Sequence, residues 1–309
     1  MPETYVYYHL ARPGAVLRAT GADAFPFLQS QFSNDLKNPG VEQPVTYGLW
    51  LDHKGKIQAD SFVLEKNQED FLLVSYDGPS ALLRGQLESR LVADEVTLTD
   101  ETENFCLLHL WPAEPDADLS ELVDRLADPA ICESWMGRRP AAFGCWDLLA
   151  PPEVMGKIVG ELNMLGAVAA SAEDLHGLRM VAGVPAVPQD AGPGDLPQEA
   201  RLEGAAVSFD KGCYLGQEVM SRLHTQGHVN RALWQVTWEG HEKLPPATEP
   251  APLFAGDVPA GELRSRVSQD GKALGLAMLK LRALTGYTLL SFSPNGPKIV
   301  QLVKDLTQA

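Results

Sequence analysis

The chain has 309 residues, of which 45% are hydrophobic and 21% are charged, a balance typical of a folded globular protein rather than a disordered one. Its formal net charge of −16 argues against a broad nucleic-acid-binding surface, because phosphate contacts need clustered Lys and Arg. No signal-peptide core is visible near the N-terminus, and no apolar run reaches the roughly 18–20 residues that span a bilayer. We therefore expect a cytoplasmic protein without a membrane segment.

Residues 1–100 show patterns typical of alternating strands and helices. Asp23 is placed to cap a helix, and a tight turn is predicted at Asn38-Pro39-Gly40. The apolar face of that helix is formed by Phe25, Leu28 and Phe32. Strands are predicted at 46–51, 57–64 and 71–76, the first two joined by a hairpin-like turn at 52–55. A helix follows, with a stripe formed by Leu83, Leu87 and Leu91.

Residues 101–230 show a similar alternation of predicted strands and helices. A strand is predicted at 105–110, a helix near 119–126, a strand at 145–149 and a helix that starts at Pro151-Pro152. The apolar stripe of the last helix is formed by Val154, Ile158, Leu162 and Leu165. The strand–turn–helix units at 71–91 and 145–165 resemble a weak repeat, which favours two α+β halves with antiparallel strands.

The composition changes twice after residue 180. Residues 183–204 are rich in Pro and Gly, which indicates either a functional loop or a linker. After residue 231 the pattern is one of short strands separated by turns, typical of a small β-barrel. These strands are predicted at 234–238, 274–281, 287–292 and 298–303. We expect three domains: an α+β domain at 1–100, a second α+β domain at 101–230 and a C-terminal β-barrel at 231–309.

A reactive cysteine is indicated between a short strand predicted at 207–209 and a helix predicted at 217–223. Cys213 precedes the helix N-terminus and lies two residues from Lys211, and both features favour thiolate over thiol. Gly212 and Gly216 allow a tight backbone turn around it. The stretch from 211 to 232 is locally positive, which suits a small anionic ligand. A small, buried and inert cysteine is the other interpretation of this pattern.

Other chemistries have weaker support. Cys213, His224 and His228 are potential metal ligands, but Gly227 interrupts the helix that would align the two histidines. A Cys–His pair for acyl transfer is conceivable from the same residues. Nucleotide-binding glycine motifs are missing from the sequence. The four cysteines, at 106, 132, 145 and 213, are far apart, and a reducing compartment gives no need for disulfides.

Residues 211–218 read Lys-Gly-Cys-Tyr-Leu-Gly-Gln-Glu and match the K-G-C-Y-x-G-Q-E motif of the YgfZ family. Members of that family are folate-binding proteins related to the glycine-cleavage T-protein, an aminomethyltransferase. The resemblance runs from about residue 15 to 281. Its further segments are Phe27-Leu28-Gln29 with Asn34-Asp35, Thr46-Tyr47-Gly48, Lys54-Gly55-Lys56-Ile57 with Asp60, Leu178-Arg179 with Ala182-Gly183-Val184-Pro185, and Asn230-Arg231-Ala232-Leu233.

The resemblance implies a T-protein-like ring of α+β domains with antiparallel sheets plus a C-terminal β-barrel. It implies tetrahydrofolate, or a one-carbon derivative of it, as the cofactor and iron–sulfur proteins as clients. The implied catalytic residues are Cys213, Lys211 and Asp60. The implied folate-binding residues are Tyr47, Asp60, Gly216, Gln217 and Arg231.

One departure from the T-protein pattern bears on the activity. T-proteins carry a glutamate where this chain has Val181, and a valine cannot accept the N–H donors of the pterin. The expected function is therefore a folate-binding accessory factor for iron–sulfur protein assembly or repair. The alternatives are a folate-dependent one-carbon transferase, in which Asp60 positions or deprotonates the folate amine, and a non-enzymatic factor in tRNA modification. Direct nucleic-acid binding is not expected.

Overall fold

The computed structural model describes residues 5–37, 45–114, 117–126, 134–137, 144–239, 249–269 and 271–306. The predicted turn at 38–40 and Cys132 lie outside the described residues. The chain divides into two compact units. The first consists of Met1–Trp50, Gln58–Leu175 and Val207–Leu215, and the second of Leu51–Ile57, His176–Ala206 and Gly216–Ala309. The predicted division into three domains stays a prediction.

The strands, in chain order, are β1 (Val6–Ala11), β2 (Ala15–Thr20), β3 (Val45–Leu51), β4 (Ile57–Asn67), β5 (Asp70–Ser75), β6 (Thr97–Asp100), β7 (Cys106–Pro112), β8 (Ser134–Gly137), β9 (Trp146–Ala150), β10 (Val168–Ala169), β11 (Arg231–Glu239), β12 (Ala251–Ala255), β13 (Val258–Gln269), β14 (Lys272–Lys280), β15 (Leu289–Leu290) and β16 (Val300–Asp305). The α-helices are α1 (Ala24–Gln31), α2 (Ser80–Glu88), α3 (Ser120–Leu126), α4 (Pro152–Met164), α5 (Ala172–Val181), α6 (Glu203–Ala206) and α7 (Gln217–Gln226). Short 3-10 turns lie at Thr102–Asn104, Pro197–Ala200 and Leu281–Leu284.

In the first unit, a sheet of order β3-β4-β5-β2-β6 is covered on one face by α1 and α2. Alternating residues of each strand point into this core, as the two-residue period of a strand requires. Trp50 and Phe32 pack there with ring centroids 4.9 Å apart, and the indole nitrogen of Trp50 donates to Ser61 Oγ at 2.9 Å. The end of α1 is thereby held firmly against β3.

A second sheet of the first unit has the order β10-β1-β7-β9-β8, and α3 and α4 pack on one of its faces. Its other face carries a buried polar group. Asp147 accepts a hydrogen bond from Tyr76 Oη at 2.7 Å and contacts His109 Nδ1 at 2.5 Å. Because Tyr76 directly follows β5, this group connects the two sheets.

In the second unit, a sheet of order β12-β13-β14-β11-β16-β15 curls nearly closed. Phe254 in β12 exchanges two backbone hydrogen bonds with Ser291, just after β15, at 2.9 and 3.0 Å. These bonds join the two edges of the sheet around an apolar core. The predicted α+β class, with mainly antiparallel sheets and a C-terminal β-barrel, is confirmed.

Several predicted details differ from the structure. The strand predicted at 207–209 does not form, because Ser208 makes one backbone bond to Ser33 and no ladder continues it. Leu165 is 45% exposed, since α4 ends at Met164 and Gly166 turns the chain with φ of +79°. The Asp23 carboxylate precedes α1 as predicted but accepts from the Glu95 amide instead of capping the helix.

The proline-rich stretch 183–204 is an integral part of the second unit rather than a linker. Many of its side chains are buried, including the acidic Asp190, Asp195 and Glu199. It also includes the turn Pro197–Ala200 and leads into α6. From its composition alone, this stretch was predicted to be either a functional loop or a linker.

Among the helices that the structure describes, none is both long and apolar enough to cross a bilayer.

Candidate functional site

The segment 207–215, which carries Cys213, packs on the end of α1 within the first unit. Backbone bonds hold it at both ends: the Ser208 amide donates to the Ser33 carbonyl at 3.0 Å, and the Leu215 amide donates to the Ser30 carbonyl at 3.2 Å. Tyr214 is buried beside Cys213. The segment is therefore a fixed structure and not a free loop.

Lys211 anchors this segment through its ammonium group. Nζ donates to the backbone carbonyls of Gln29, Phe32 and Asn34 at 2.7, 2.8 and 2.7 Å, and the residue is only 7% exposed. Carbonyls at a helix C-terminus lack partners within the helix and carry partial negative charge, so a cation is favourable there. Burial lowers the pKa of Lys211 to about 8, although the charge of Asp35 partly offsets this effect.

Cys213 itself is exposed. Gly212 beside it has open space around its α-carbon, with no atom within 4 Å of an added Cβ. The thiol is thus presented to solvent between two buried anchors, Lys211 and Tyr214. The Lys211 charge, which the sequence placed near the thiol, is directed to the carbonyls at the end of α1.

The same segment lines a cavity of about 410 Å³ in the first unit. Ser208 and Asp210 form one side of it. The rest of the lining comes from the end of α1 and the start of β3, namely Asn34, Asp35, Val45, Thr46 and Tyr47. Two carboxylates and three hydroxyls make this lining rich in hydrogen-bond acceptors.

Tyr47 and Asp60, the two hairpin residues implied in folate binding, are in direct contact. Tyr47 Oη donates to one carboxylate oxygen of Asp60 at 3.0 Å, and Ser75 Oγ donates to the other at 3.1 Å. Asp60 is only 4% exposed. The structure therefore brings Asp60 and Tyr47 together and places Tyr47, but not Asp60, in the lining of the cavity.

Gly216 and Gln217 lie in the second unit, at the start of α7. Gly216 has φ of +85°, and a Cβ there would come within 2.7 Å of the Asp52 carbonyl oxygen. Opposite it, a Cβ on Gly55 would come within 2.6 Å of Met220. Two glycines thus let the start of α7 pack directly on the turn at 52–55, which gives Gly216 a backbone role.

Replacing Gly216 with alanine is expected to lower the free energy of unfolding by about 1–3 kcal/mol, because alanine adopts positive φ poorly and its Cβ meets a backbone oxygen. Gly212→Ala is the matched control, since an added Cβ there meets no atom within 4 Å, and a change within about 0.5 kcal/mol is expected. Urea unfolding of both variants measures the difference. Equal stability of the two variants would contradict this assignment.

Arg231, also implied in folate binding, is held in a charge cluster of the second unit. Its guanidinium donates to both carboxylate oxygens of Glu199 at 3.0 and 2.7 Å and contacts Asp195 at 3.1 Å. Burial works against its charge, but Glu199 and Asp195 outweigh this effect and raise the pKa of Arg231. Asp195 is shared with Arg264, which is largely buried.

Sequence reasoning missed this cluster and its neighbour, in which Arg179 contacts Asp190 at 2.5 Å and Ser265 at 2.9 Å. The available signal was the set of acidic residues within the apolar and proline-rich stretch 183–204, because such residues need basic partners when buried. Val181 is 59% exposed at the end of α5, and its carbonyl accepts from Gln235 at 3.0 Å.

His224 contacts Glu203 at 3.2 Å, and His228 is exposed. Within the described ranges, no group of three or more His, Cys, Asp and Glu side chains is arranged to hold a metal ion. The three described cysteines, Cys106, Cys145 and Cys213, are free thiols.

The fold places the chain in a known structural class. A family model described as the GCVT N-terminal domain matches residues 15–131. The structure of the glycine cleavage system aminomethyltransferase T from Bartonella henselae superposes with a TM-score of 0.71 and covers 99% of this chain and 88% of that one. Sequence identity there is 16%, so the likeness shows the fold: this is a protein with the aminomethyltransferase T architecture.

Sequence relatives narrow the class. The chain is 27% identical over 288 residues to the mitochondrial iron–sulfur cluster assembly factor IBA57 of Mus musculus, covering 88% of this chain and 77% of the relative. It is 27% identical over 248 residues to the tRNA-modifying protein YgfZ of Edwardsiella ictaluri, covering 78% and 73%. The human IBA57 factor is 30% identical over 238 residues, covering 72% and 63%. The resemblance to the YgfZ family seen in the sequence is confirmed.

Proposed function

We propose that this chain is an accessory factor in the assembly or repair of iron–sulfur proteins, that it binds a reduced folate, and that Cys213 is its reactive group. Relatives named as iron–sulfur cluster assembly factors support the first part of the proposal. The fold shared with an aminomethyltransferase supports the second. Cytoplasmic location and iron–sulfur proteins as clients belong to the same proposal.

The observation that carries the proposal is the exposed Cys213 thiol on a segment that also forms a wall of the acceptor-rich cavity. Lys211 fixes this segment to the end of α1, and Ser208 and Asp210 of the same segment face the cavity. A ligand in the cavity therefore touches the structure that presents the thiol. This arrangement allows folate binding and cysteine chemistry to influence each other.

The chemistry of the lining suits a tetrahydropterin. The pterin ring presents several N–H donors, and Asp35, Asp210, Thr46 and Ser208 offer oxygen acceptors around a cavity of about 410 Å³. Tyr47 adds an aromatic wall. We infer that these acceptors replace the T-protein glutamate, whose position Val181 occupies in this chain.

Within the proposed site, Asp60 is assigned to orient Tyr47 through its 3.0 Å hydrogen bond and to supply negative charge behind the ring. Lys211 is assigned to position the Cys213 segment. Gly216 is assigned to the close packing of α7, and Gln217 and Arg231 remain proposed folate-binding residues. A bound folate would supply the one-carbon or redox chemistry of its reduced ring, and the residues named here bind and orient it.

Titration with tetrahydrofolate, followed by tryptophan fluorescence, tests the folate part. We expect saturable binding that Asp60→Asn and Tyr47→Phe each weaken about tenfold, because each removes one partner of the buried Tyr47–Asp60 hydrogen bond. Asp94→Asn is the matched control, since Asp94 is an exposed residue of the same unit and its replacement changes the net charge by the same amount as Asp60→Asn. Unchanged affinity in both site variants would refute the assignment.

A second candidate function is one-carbon transfer of the T-protein type, and the buried Asp60 carboxylate favours it. In that case Asp60 positions or deprotonates the folate amine. Incubation with tetrahydrofolate and an aminomethyl donor would then yield methylenetetrahydrofolate with release of ammonia, and Asp60→Asn would abolish both products. Folate binding without product supports the accessory factor instead.

A further inference from the structure

The second unit has a cavity of about 830 Å³ whose lining shares only Arg231 with the residues assigned to folate binding. Its volume lies within the range of roughly 300–1,000 Å³ typical of small-molecule sites. Four basic side chains and one acidic side chain line it, a net formal charge of +3 in a chain whose net charge is −16. The basic residues are Lys56, Arg231, Lys280 and Arg282.

Two of these charges have no acidic partner among the residues that the structure describes. Arg231 is paired with Glu199 and Asp195. Lys280, at the end of β14, and Arg282, in the turn that follows, are exposed, and neither forms an ion pair within the described part of the chain. They therefore remain available for an anion that enters the cavity.

The lining between the charges is mostly apolar, with His228 and Asn230 as its uncharged polar residues. The apolar residues are Leu196, Leu223, Val229, Val258, Pro259 and Ala283. Val258 is 50% exposed although it is a large aliphatic residue, so covering it with a ligand is favourable. An occupant that satisfies both features has an apolar or aromatic body together with anionic groups.

We propose that this cavity binds a small anionic ligand with an apolar or aromatic body, through Lys280 and Arg282. The acidic remainder of the chain repels an extended polyanion, whereas a small ligand reaches the cavity without crossing that surface. A phosphate and a carboxylate both satisfy guanidinium and ammonium groups, so the shared chemistry is an anion on an apolar body.

Two probes distinguish a phosphate ligand from a carboxylate ligand. Adenosine 5′-monophosphate carries a phosphate, and N-benzoyl-L-glutamate carries carboxylates. Calorimetry is expected to show that at least one binds about tenfold more tightly than inorganic phosphate and glutarate, which lack the apolar body. The probe that binds shows whether the anionic group of the ligand is a phosphate or a carboxylate. Raising the salt from about 50 to about 500 mM should weaken this binding, because the contacts are exposed ion pairs.

The double variant Lys280→Glu, Arg282→Glu is expected to weaken binding of that probe at least about tenfold. Lys272→Glu with Lys304→Glu is the matched control: it changes the net charge equally, at exposed positions of the same unit outside the cavity lining. Its affinity should stay within about twofold of wild type. Failure of both probes to bind at millimolar concentration, or equal weakening in the two double variants, overturns the proposal.

Discussion

Replacing Lys211 with methionine is expected to lower the free energy of unfolding by about 3 kcal/mol or more. The ammonium is the donor to three carbonyls at the end of α1, and each buried acceptor that loses its partner costs about 1–3 kcal/mol. Methionine fills similar space but donates nothing. Urea unfolding monitored by circular dichroism measures the loss.

Lys54→Met is the control for this experiment, because Lys54 is exposed and its replacement should change stability by no more than about 0.5 kcal/mol. A loss for Lys211→Met as small as that of the control would show that the three hydrogen bonds do not hold the segment. Faster reaction of Cys213 with a thiol reagent in Lys211→Met would show, in addition, that the segment has loosened.

The pH dependence of the free energy of unfolding, compared between wild type and Lys211→Met, provides a second readout. The folded chain holds the Lys211 proton only up to its lowered pKa of about 8, whereas the unfolded chain holds it up to 10.5. Unfolding therefore takes up a proton in that interval, and wild type should gain stability relative to Lys211→Met as the pH rises through it. A constant difference between the two proteins over this interval would contradict the lowered pKa.

Replacing Cys213 with alanine is expected to abolish the rescue of an iron–sulfur enzyme in cells that lack the protein, while leaving the fold intact. The thiol is exposed and lies between buried anchors, so its loss should change stability by less than about 0.5 kcal/mol. Cys213→Ser should fail as well, because a hydroxyl is far less readily ionised than a thiol. Iron–sulfur enzyme activity in cell extracts is the measurement.

Cys106→Ala serves as the control, since it removes a free thiol of the same unit outside the segment. It should support rescue. Full rescue by Cys213→Ala would remove the reactive role from Cys213 but would leave the folate part of the proposal standing, because the titration with Tyr47 and Asp60 variants tests that part separately.

The elements with the clearest periodicity were predictable from the sequence. The strands around Tyr47 and Asp60 and the barrel strands β11, β14 and β16 are confirmed, because an apolar pattern with a two-residue period indicates burial directly. The helix α2 is confirmed with Leu83 and Leu87 but ends at Glu88, before Leu91, and the strand predicted at 287–292 forms only at Leu289–Leu290. The predicted strand at 207–209 was wrong for the opposite reason. Three residues carry too little pattern to separate a strand from an irregular segment that is held by bonds to a distant part of the chain.

By itself, the sequence determined the α+β class, the barrel and the motif around Cys213, since these depend on local periodicity and on a run of eight adjacent residues. Only the tertiary structure decided how Lys211 is used. Nothing local indicates that its ammonium meets the carbonyls of Gln29, Phe32 and Asn34, which lie more than 170 residues away. Likewise, the partners of Asp195 and Glu199 come from distant strands. Which buried polar groups pair across long sequence separations depends on how the whole chain folds. A local sequence pattern does not indicate these pairs.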